Sequence, residues 1–253
     1  MSFNASSAAA YLRFMGGFAE PLSPQFADLA GVSGGQRALD VGCGPGTLTA
    51  ELVRRLGPAA VSAVDPSPPL ATAASERLPG ADVRLAAAEQ LPFPDDSFDI
   101  ALAQLVVHFM DDPVAGLREM RRVTRPGGAV AACVWDHAGG RGPVSLFWQA
   151  ASELDSSAPD ESDLAGAREG HLASLFAQAG LSRPATVTLT VTARFASFEQ
   201  WWEPYTLSVG PAGTYLSSLP AGQRDALREQ CRWLLPAGPF EITASAWATT
   251  ATA

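Results

Sequence analysis

The chain has 253 residues, 47% hydrophobic and 17% charged, which suits a globular α/β domain with a substantial core. A net charge of −9 opposes phosphate backbones, so no nucleic-acid partner is expected. All 17 cationic residues are Arg, and a chain without Lys has no Schiff-base chemistry, no pyridoxal-phosphate anchor and no P-loop lysine.

The densest basic run, Arg118 to Arg125, reads as a solvated helix face. No apolar run approaches the roughly 18 residues of a membrane span. The N-terminal stretch MSFNASSAAAYLRF lacks the basic start and apolar run of a secretion signal, so a cytoplasmic protein with no membrane partner is expected. Cys43, Cys133 and Cys231 are far apart, and His108, His137 and His171 show no ligand spacing with them. No disulfide framework and no metal site follow from that pattern.

Residues 37–136 alternate strand and helix. A strand at 37–41 runs into a glycine turn, and Thr47 is placed to cap a helix carrying Leu48, Leu52, Val53 and Leu56 at helical spacing. Glu51 and Arg55 form an i,i+4 pair on its outer side, and Gly57-Pro58 stops it. A second strand at 60–64 ends at Asp65, a helix follows at 67–78, and a third strand covers 82–87. The fourth strand, 98–105, is apolar almost throughout, as a strand covered on both faces should be. Asp111-Asp112-Pro113 starts a helix that presents Val114, Leu117, Met120 and Val123 to the core and ends at the RPGG of 125–128, before a fifth strand at 129–134.

Beyond Trp135 the pattern loosens. Residues 137–170 are rich in Gly, Ser and Pro around one apolar cluster, Leu146, Phe147 and Trp148. A helix is expected at 171–179, strands at 186–195 and 240–250, and a helix at 223–235 after the aromatic segment FEQWWEPY. Strands joined through helices by short connections imply a parallel, doubly wound sheet with its ligand crevice at the strands' carboxyl ends. The whole chain, 1–253, reads as one domain: an N-terminal helical cap at 1–36, a core at 37–136, and insertions with the last strands at 137–253.

The stretch LDVGCGPGTL at 39–48 carries the decisive turn. A dinucleotide fingerprint needs G-x-G-x-x-G or A, whereas Gly42, Gly44 and Gly46 are followed by Thr47. Pro45 also removes a backbone donor that a phosphate cradle would use. Asp40, just before the turn, would repel a pyrophosphate and suit a cation. Asp65 can accept from both hydroxyls of a ribose, and Glu89 can meet an exocyclic amine.

LDVGCGPG, AVDPS, AEQLPFPDDSFD, LVVHFMDDP and EMRRVTRPGG follow one another in the order and spacing of class I S-adenosylmethionine-dependent methyltransferases. Over 37–136 the chain resembles the type 11 group, similar to ubiquinone- and menaquinone-biosynthesis methyltransferases. The resemblance implies a mostly parallel seven-stranded sheet with helices on both faces and lid insertions, and S-adenosylmethionine as cofactor with S-adenosylhomocysteine as product. It implies that Gly42, Cys43, Gly44 and Gly46 cradle the methionine part and ribose, with Asp40 near the amino end. Asp65, with Pro66 and Ser67, would take the ribose; Ala88 and Glu89 the adenine edge; and the Gln104 carbonyl the methionine amino group. Tyr11 and Arg13 are further candidates from the N-terminal segment.

Methyl transfer from a sulfonium is an in-line displacement in which positioning does much of the work. A neutral hydroxyl acceptor would also need a base, and His108 and His137 are the candidates. Each has the competing reading of an ordinary loop histidine. The aromatic set Trp135, Phe147, Trp148, Trp201, Trp202 and Tyr205 either lines an acceptor pocket or packs a core. Three functions stay open at this point: a small-molecule methyltransferase, acting as monomer or homodimer; a non-catalytic S-adenosylmethionine-binding protein; and an NAD-dependent oxidoreductase.

Overall fold

The structure, a computed structural model, describes residues 8–253. The expected N-terminal cap therefore lies partly outside the described residues. Its described part is a continuous helical run: α1 (Ala8–Tyr11), a π-turn (Leu12–Gly16) and α2 (Gly17–Leu29).

The core elements then alternate as β1 (Ala38–Val41), α3 (Thr47–Leu56), β2 (Val61–Asp65), α4 (Pro68–Arg77), β3 (Asp82–Leu85), β4 (Phe98–Gln104), α5 (Pro113–Val123) and β5 (Thr124–Trp135). The second half adds α6 (Ser145–Leu154), α7 (His171–Gln178), β6 (Ser182–Phe195), α8 (Phe198–Trp202), α9 (Gly210–Ser218), α10 (Ala221–Leu234) and β7 (Phe240–Thr252). One seven-stranded sheet results, ordered β3-β2-β1-β4-β5-β7-β6. The first five strands are parallel, and β7 runs antiparallel to both β5 and β6. The strand order reverses between β1 and β4, where an open α/β sheet places its crevice.

Two cores sandwich the sheet, and the period of two along each strand divides them. In β5, Val130, Ala132 and Val134 face α5 and α7, whose Leu117, Met120, Leu172 and Phe176 are fully or almost fully buried. The intervening Ala131, Cys133 and Trp135 face α2 and α3, meeting Phe18, Leu22, Phe26, Leu48 and Leu52. Both faces are dry, which explains the unbroken apolar runs of β4 and β5. A third cluster gathers Phe147, Trp148, Phe198, Trp201, Trp202 and Tyr205 from α6, α8 and their neighbours. Five of the six aromatics considered for an acceptor pocket thus pack this layer, with Phe147 stacked on Tyr205 at 4.7 Å. Big rings bury most area against one another.

Several sequence expectations are corrected locally. Thr47 does not cap α3: Gly46 holds the cap position, and the Thr47 hydroxyl is buried without a partner. The fourth strand stops at Gln104 because Leu105 turns the chain at φ 63°. Helix α5 stops at Val123, before the RPGG segment, because Thr124 already pairs with Phe98. The loose stretch after Trp135 contains α6, and α9 has no counterpart in the sequence reading. The Asp112 cap is as expected, its carboxylate accepting from the Val114 and Ala115 N–H groups at 3.0 Å.

The basic run on α5 is more than a solvated face. Arg122 donates to the Phe93 and Leu91 carbonyls at 2.9 and 3.1 Å and pairs with Glu119 and Asp95 at 2.7 Å. It clamps the Pro92/Pro94 loop against α5 through the Leu91 and Phe93 carbonyls, while the Pro92 carbonyl accepts from Arg84 at 2.8 Å and the Pro94 carbonyl from the Ser97 hydroxyl at 2.7 Å. Arg122→Ala is expected to lower stability by about 2 kcal/mol, measured by denaturant unfolding, because it strips several charge-assisted bonds at once. A change within about 0.5 kcal/mol, normal for a solvated surface residue, would contradict the clamp.

Candidate functional site

The glycine turn is stitched to β2 by its own amides. The Gly42 and Cys43 N–H groups both donate to the Val64 carbonyl, at 2.8 and 2.9 Å. The Gly44 N–H donates to Asp65 Oδ2 at 2.8 Å, and the Gly46 N–H to the Cys43 carbonyl at 3.0 Å. Pro45 has no N–H to give. Every amide of the turn is therefore committed, and none is left to form the anion nest a pyrophosphate requires.

Two glycines are obligatory here for different reasons. At Gly42, φ is +72° and an added Cβ would lie 2.2 Å from the Val106 side chain. At Gly44, φ is +55° and a Cβ would meet no heavy atom within 4 Å, although the residue lines the main cavity. Gly44 thus forms a flat floor that a ligand can approach closely.

Asp65 ends β2 and is 6% exposed. Its Oδ1 accepts from the Ser67 N–H at 2.8 Å and its Oδ2 from Gly44, so it both helps α4 begin and holds the turn. Each oxygen keeps a lone pair for a ligand hydroxyl. Burial raises its pKa, against the pull of the two N–H donors.

Asp40, Cys43 and Gly46 do not line the cavity: Cys43 and Gly46 belong to the turn, and Asp40 precedes it on β1. Asp40 accepts from the Thr49 hydroxyl at 2.6 Å, and its other oxygen is buried without a partner. Burial pushes its pKa up to about 7, and nearby Asp65 adds to the rise. Gly46 lets α4 approach, since a Cβ there would lie 2.9 Å from Leu78.

The remaining expected residues converge. Gly42, Gly44, Asp65, Pro66, Ser67, Ala88, Glu89 and Gln104 line one cavity of about 560 Å³, with Tyr11. Glu89 also accepts from the Asp112 N–H at 3.2 Å, tying the loop after β3 to α5. The Gln104 side chain donates to the Ala19 carbonyl at 3.2 Å and the Ser23 hydroxyl at 3.0 Å, fastening α2 to β4. Arg13 pairs with Glu203 at 2.6 Å and does not line this cavity.

His108 and His137 line the cavity's other end, their rings 5.9 Å apart. Burial drives the His108 pKa well below the ordinary value and His137 down to about 4. Both imidazoles are neutral near pH 7, and His108 Nδ1 and His137 Nε2 are buried without partners. Trp135, alone of the aromatic set, also lines this cavity. Glu161, which the sequence reading missed, completes the end: it is 5% exposed and accepts from Trp148 Nε1–H at 2.7 Å.

Residues 39–132 match the methyltransferase domain family. This segment is a class I methyltransferase domain. An uncharacterized methyltransferase of Schizosaccharomyces pombe is 38% identical over 118 residues, covering 39% of this chain and 42% of that protein. The malonyl-[acyl-carrier protein] O-methyltransferase of Halorhodospira halophila is 40% identical over 98 residues, covering 38% of this chain and 33% of that one. The match therefore spans less than half the length of either relative. A solved structure of Haemonchus contortus phosphoethanolamine N-methyltransferase 2 has a TM-score of 0.60 at 17% identity, covering 97% of this chain and 56% of that one, which is a likeness of fold.

The methyltransferase domain supplies the turn, Asp65 and Glu89, whereas His137 and Glu161 lie beyond the matched segment. Glu161 sits in a Ser/Asp-rich stretch with no periodicity, so only its buried Trp148 partner distinguishes it, and that contact is visible only in three dimensions.

Asp40 titrates above its ordinary 3.8, so its contribution to stability is fully present at low pH and is lost as pH rises through about 7. Asp40→Asn mimics the protonated form. Its Tm advantage over the wild type should grow by roughly 5 °C between pH 4 and pH 8. A gap that stays constant with pH would place the Asp40 titration elsewhere. For Gly42→Ala, the Val106 clash predicts a loss of about 2 kcal/mol, read in the same thermal scans.

Proposed function

We propose that this chain is an S-adenosylmethionine-dependent methyltransferase acting on a small-molecule acceptor. The observation that carries the reading is the turn whose amides are all committed internally, beside a buried Asp65 with accepting capacity to spare. That pairing fits a ribose and a cation, not a pyrophosphate, which disfavours NAD.

S-adenosylmethionine supplies a methyl group activated on sulfonium. Asp65 takes the ribose hydroxyls, with Pro66 and Ser67 beside it. Ala88 and Glu89 bound the adenine end, and Gly44 lets the ligand lie close to the backbone. Asp40, half-charged near neutral pH, gains when a cation approaches from across the turn. Gln104 holds α2 in place as the cavity wall. His108 and His137 present neutral imidazoles to the acceptor. The cavity holds nucleophile and methyl group in line, an effect that can supply roughly 7–11 kcal/mol of the barrier. A buried carboxylate and two imidazoles in the same cavity favour catalysis over storage.

The chain works as one domain, with the cap, the core and the insertions all contributing to one cavity. No described helix is long and apolar enough to cross a membrane. A monomer or homodimer in the cytoplasm, without nucleic acid, completes the reading.

Titration calorimetry tests it. The wild type should bind S-adenosylmethionine, and Asp65→Ala should weaken binding at least about tenfold, or about 1.4 kcal/mol. Equal affinity in the variant would refute the ribose assignment.

A further inference from the structure

We propose that Glu161 takes the proton of the methyl acceptor, which reacts through an O–H or N–H group and carries no phosphate or carboxylate. This rests on the methyltransferase reading above.

The position of Glu161 is built. It lies between α6 and α7, in the same cavity wall as His108 and His137, and Trp148 donates to its Oε2 at 2.7 Å. Trp148 is itself held by Phe147 and Tyr215, with ring centroids at 5.1 and 5.4 Å. An unpaired buried carboxylate costs free energy unless something donates to it, and one indole N–H leaves most of its lone pairs unused.

The charge of the wall sets the acceptor class. Asp65, Glu89, Asp111 and Glu161 line the cavity, and among the described residues no Arg does; residues 1–7 contain none. An anionic acceptor would enter without a countercharge, beside a carboxylate. A neutral O–H or N–H donor would instead satisfy Glu161.

Basicity separates Glu161 from its neighbours. Burial lifts its pKa to about 7, Asp160 adds to that, and the Trp148 N–H opposes it. From the turn after α8, the Tyr205 phenol is pushed up by burial, with Cys231 and then Glu161 adding to the rise. Burial takes His137, after β5, down to about 4 and lowers His108 well below its ordinary value, so both hold a proton too weakly to collect one. A base works best near the operating pH. In the step, the acceptor heteroatom forms its bond to the methyl carbon as the methyl–sulfur bond breaks. Sulfur keeps that electron pair, the heteroatom's proton passes to Glu161, and sulfonium and carboxylate charges vanish together. Opening of the cavity returns the proton to water.

The test uses the full chain at pH 8. S-adenosylhomocysteine should bind wild type and Glu161→Gln within about twofold by calorimetry, which also shows that the variant folds; no binding to the wild type overturns the cofactor reading and this one with it. With that ligand bound, 4-propylphenol or 4-propylaniline should bind at least tenfold more tightly than 4-propylbenzoate, and Glu161→Gln should remove most of that preference. Equal binding of benzoate, an unchanged preference in the variant, or no binding of any probe overturns the proposal. Infrared difference spectra should show two carboxylic acids titrating near pH 7, those of Asp40 and Glu161; one of the two signals is lost in Glu161→Gln and shifted upward in Trp148→Phe, while the Asp40 signal stays. A spectrum indifferent to both substitutions would overturn it too.

Discussion

Everything at the carboxyl edge of the sheet depends on one carboxylate. Asp65 receives the Gly44 N–H on one oxygen and the Ser67 N–H on the other, so the last residue of β2 fixes both the turn after β1 and the start of α4. The Val64 carbonyl, one residue earlier, absorbs the two preceding amides of the turn. A glycine-rich turn is ordinarily an anion site because its amides are free. Here they are spent on the adjacent strand, and what faces the cavity is an acceptor. The polarity of the site is inverted by hydrogen-bond bookkeeping alone.

That inversion runs through the whole cavity. Among the described residues its wall carries carboxylates and no Arg, burial holds Glu161 and, behind the wall, Asp40 near the point of ionisation, and burial keeps both histidines neutral. A cationic ligand entering such a field is favoured at one end, and charge lost during transfer relieves the other. The floor is rigid where this matters: Gln104 locks α2 to β4, and Leu105 leaves the strand in a left-handed conformation that only a well-determined surrounding sustains.

The parallel half of the sheet was legible in the sequence because its strands are apolar runs broken by Gly, Pro and Asp at the turns. The glycine turn, Asp65 and Glu89 were legible for the same reason: each sits at a strand end, one short turn from a strong element signal. The acceptor end was not. Glu161 is defined by an indole thirteen positions away, in a stretch without periodicity. The aromatic residues of α6 and α8 carry the same signal whether they line a pocket or pack a layer, and the structure assigns five of them to the layer. Thr47 misled because a residue type that favours caps can equally well begin the helix once glycine takes the cap position. Arg122 misled because a basic run on a helix says nothing about carbonyls approaching from another loop.

A crystal structure grown with S-adenosylhomocysteine tests the central claim most directly. The account predicts ribose hydroxyls on Asp65, adenine beside Ala88 and Glu89, and sulfur facing the end of the cavity that holds His108, His137 and Glu161. A ligand whose ribose avoids Asp65, or a cavity that stays empty at saturating concentration, would contradict it.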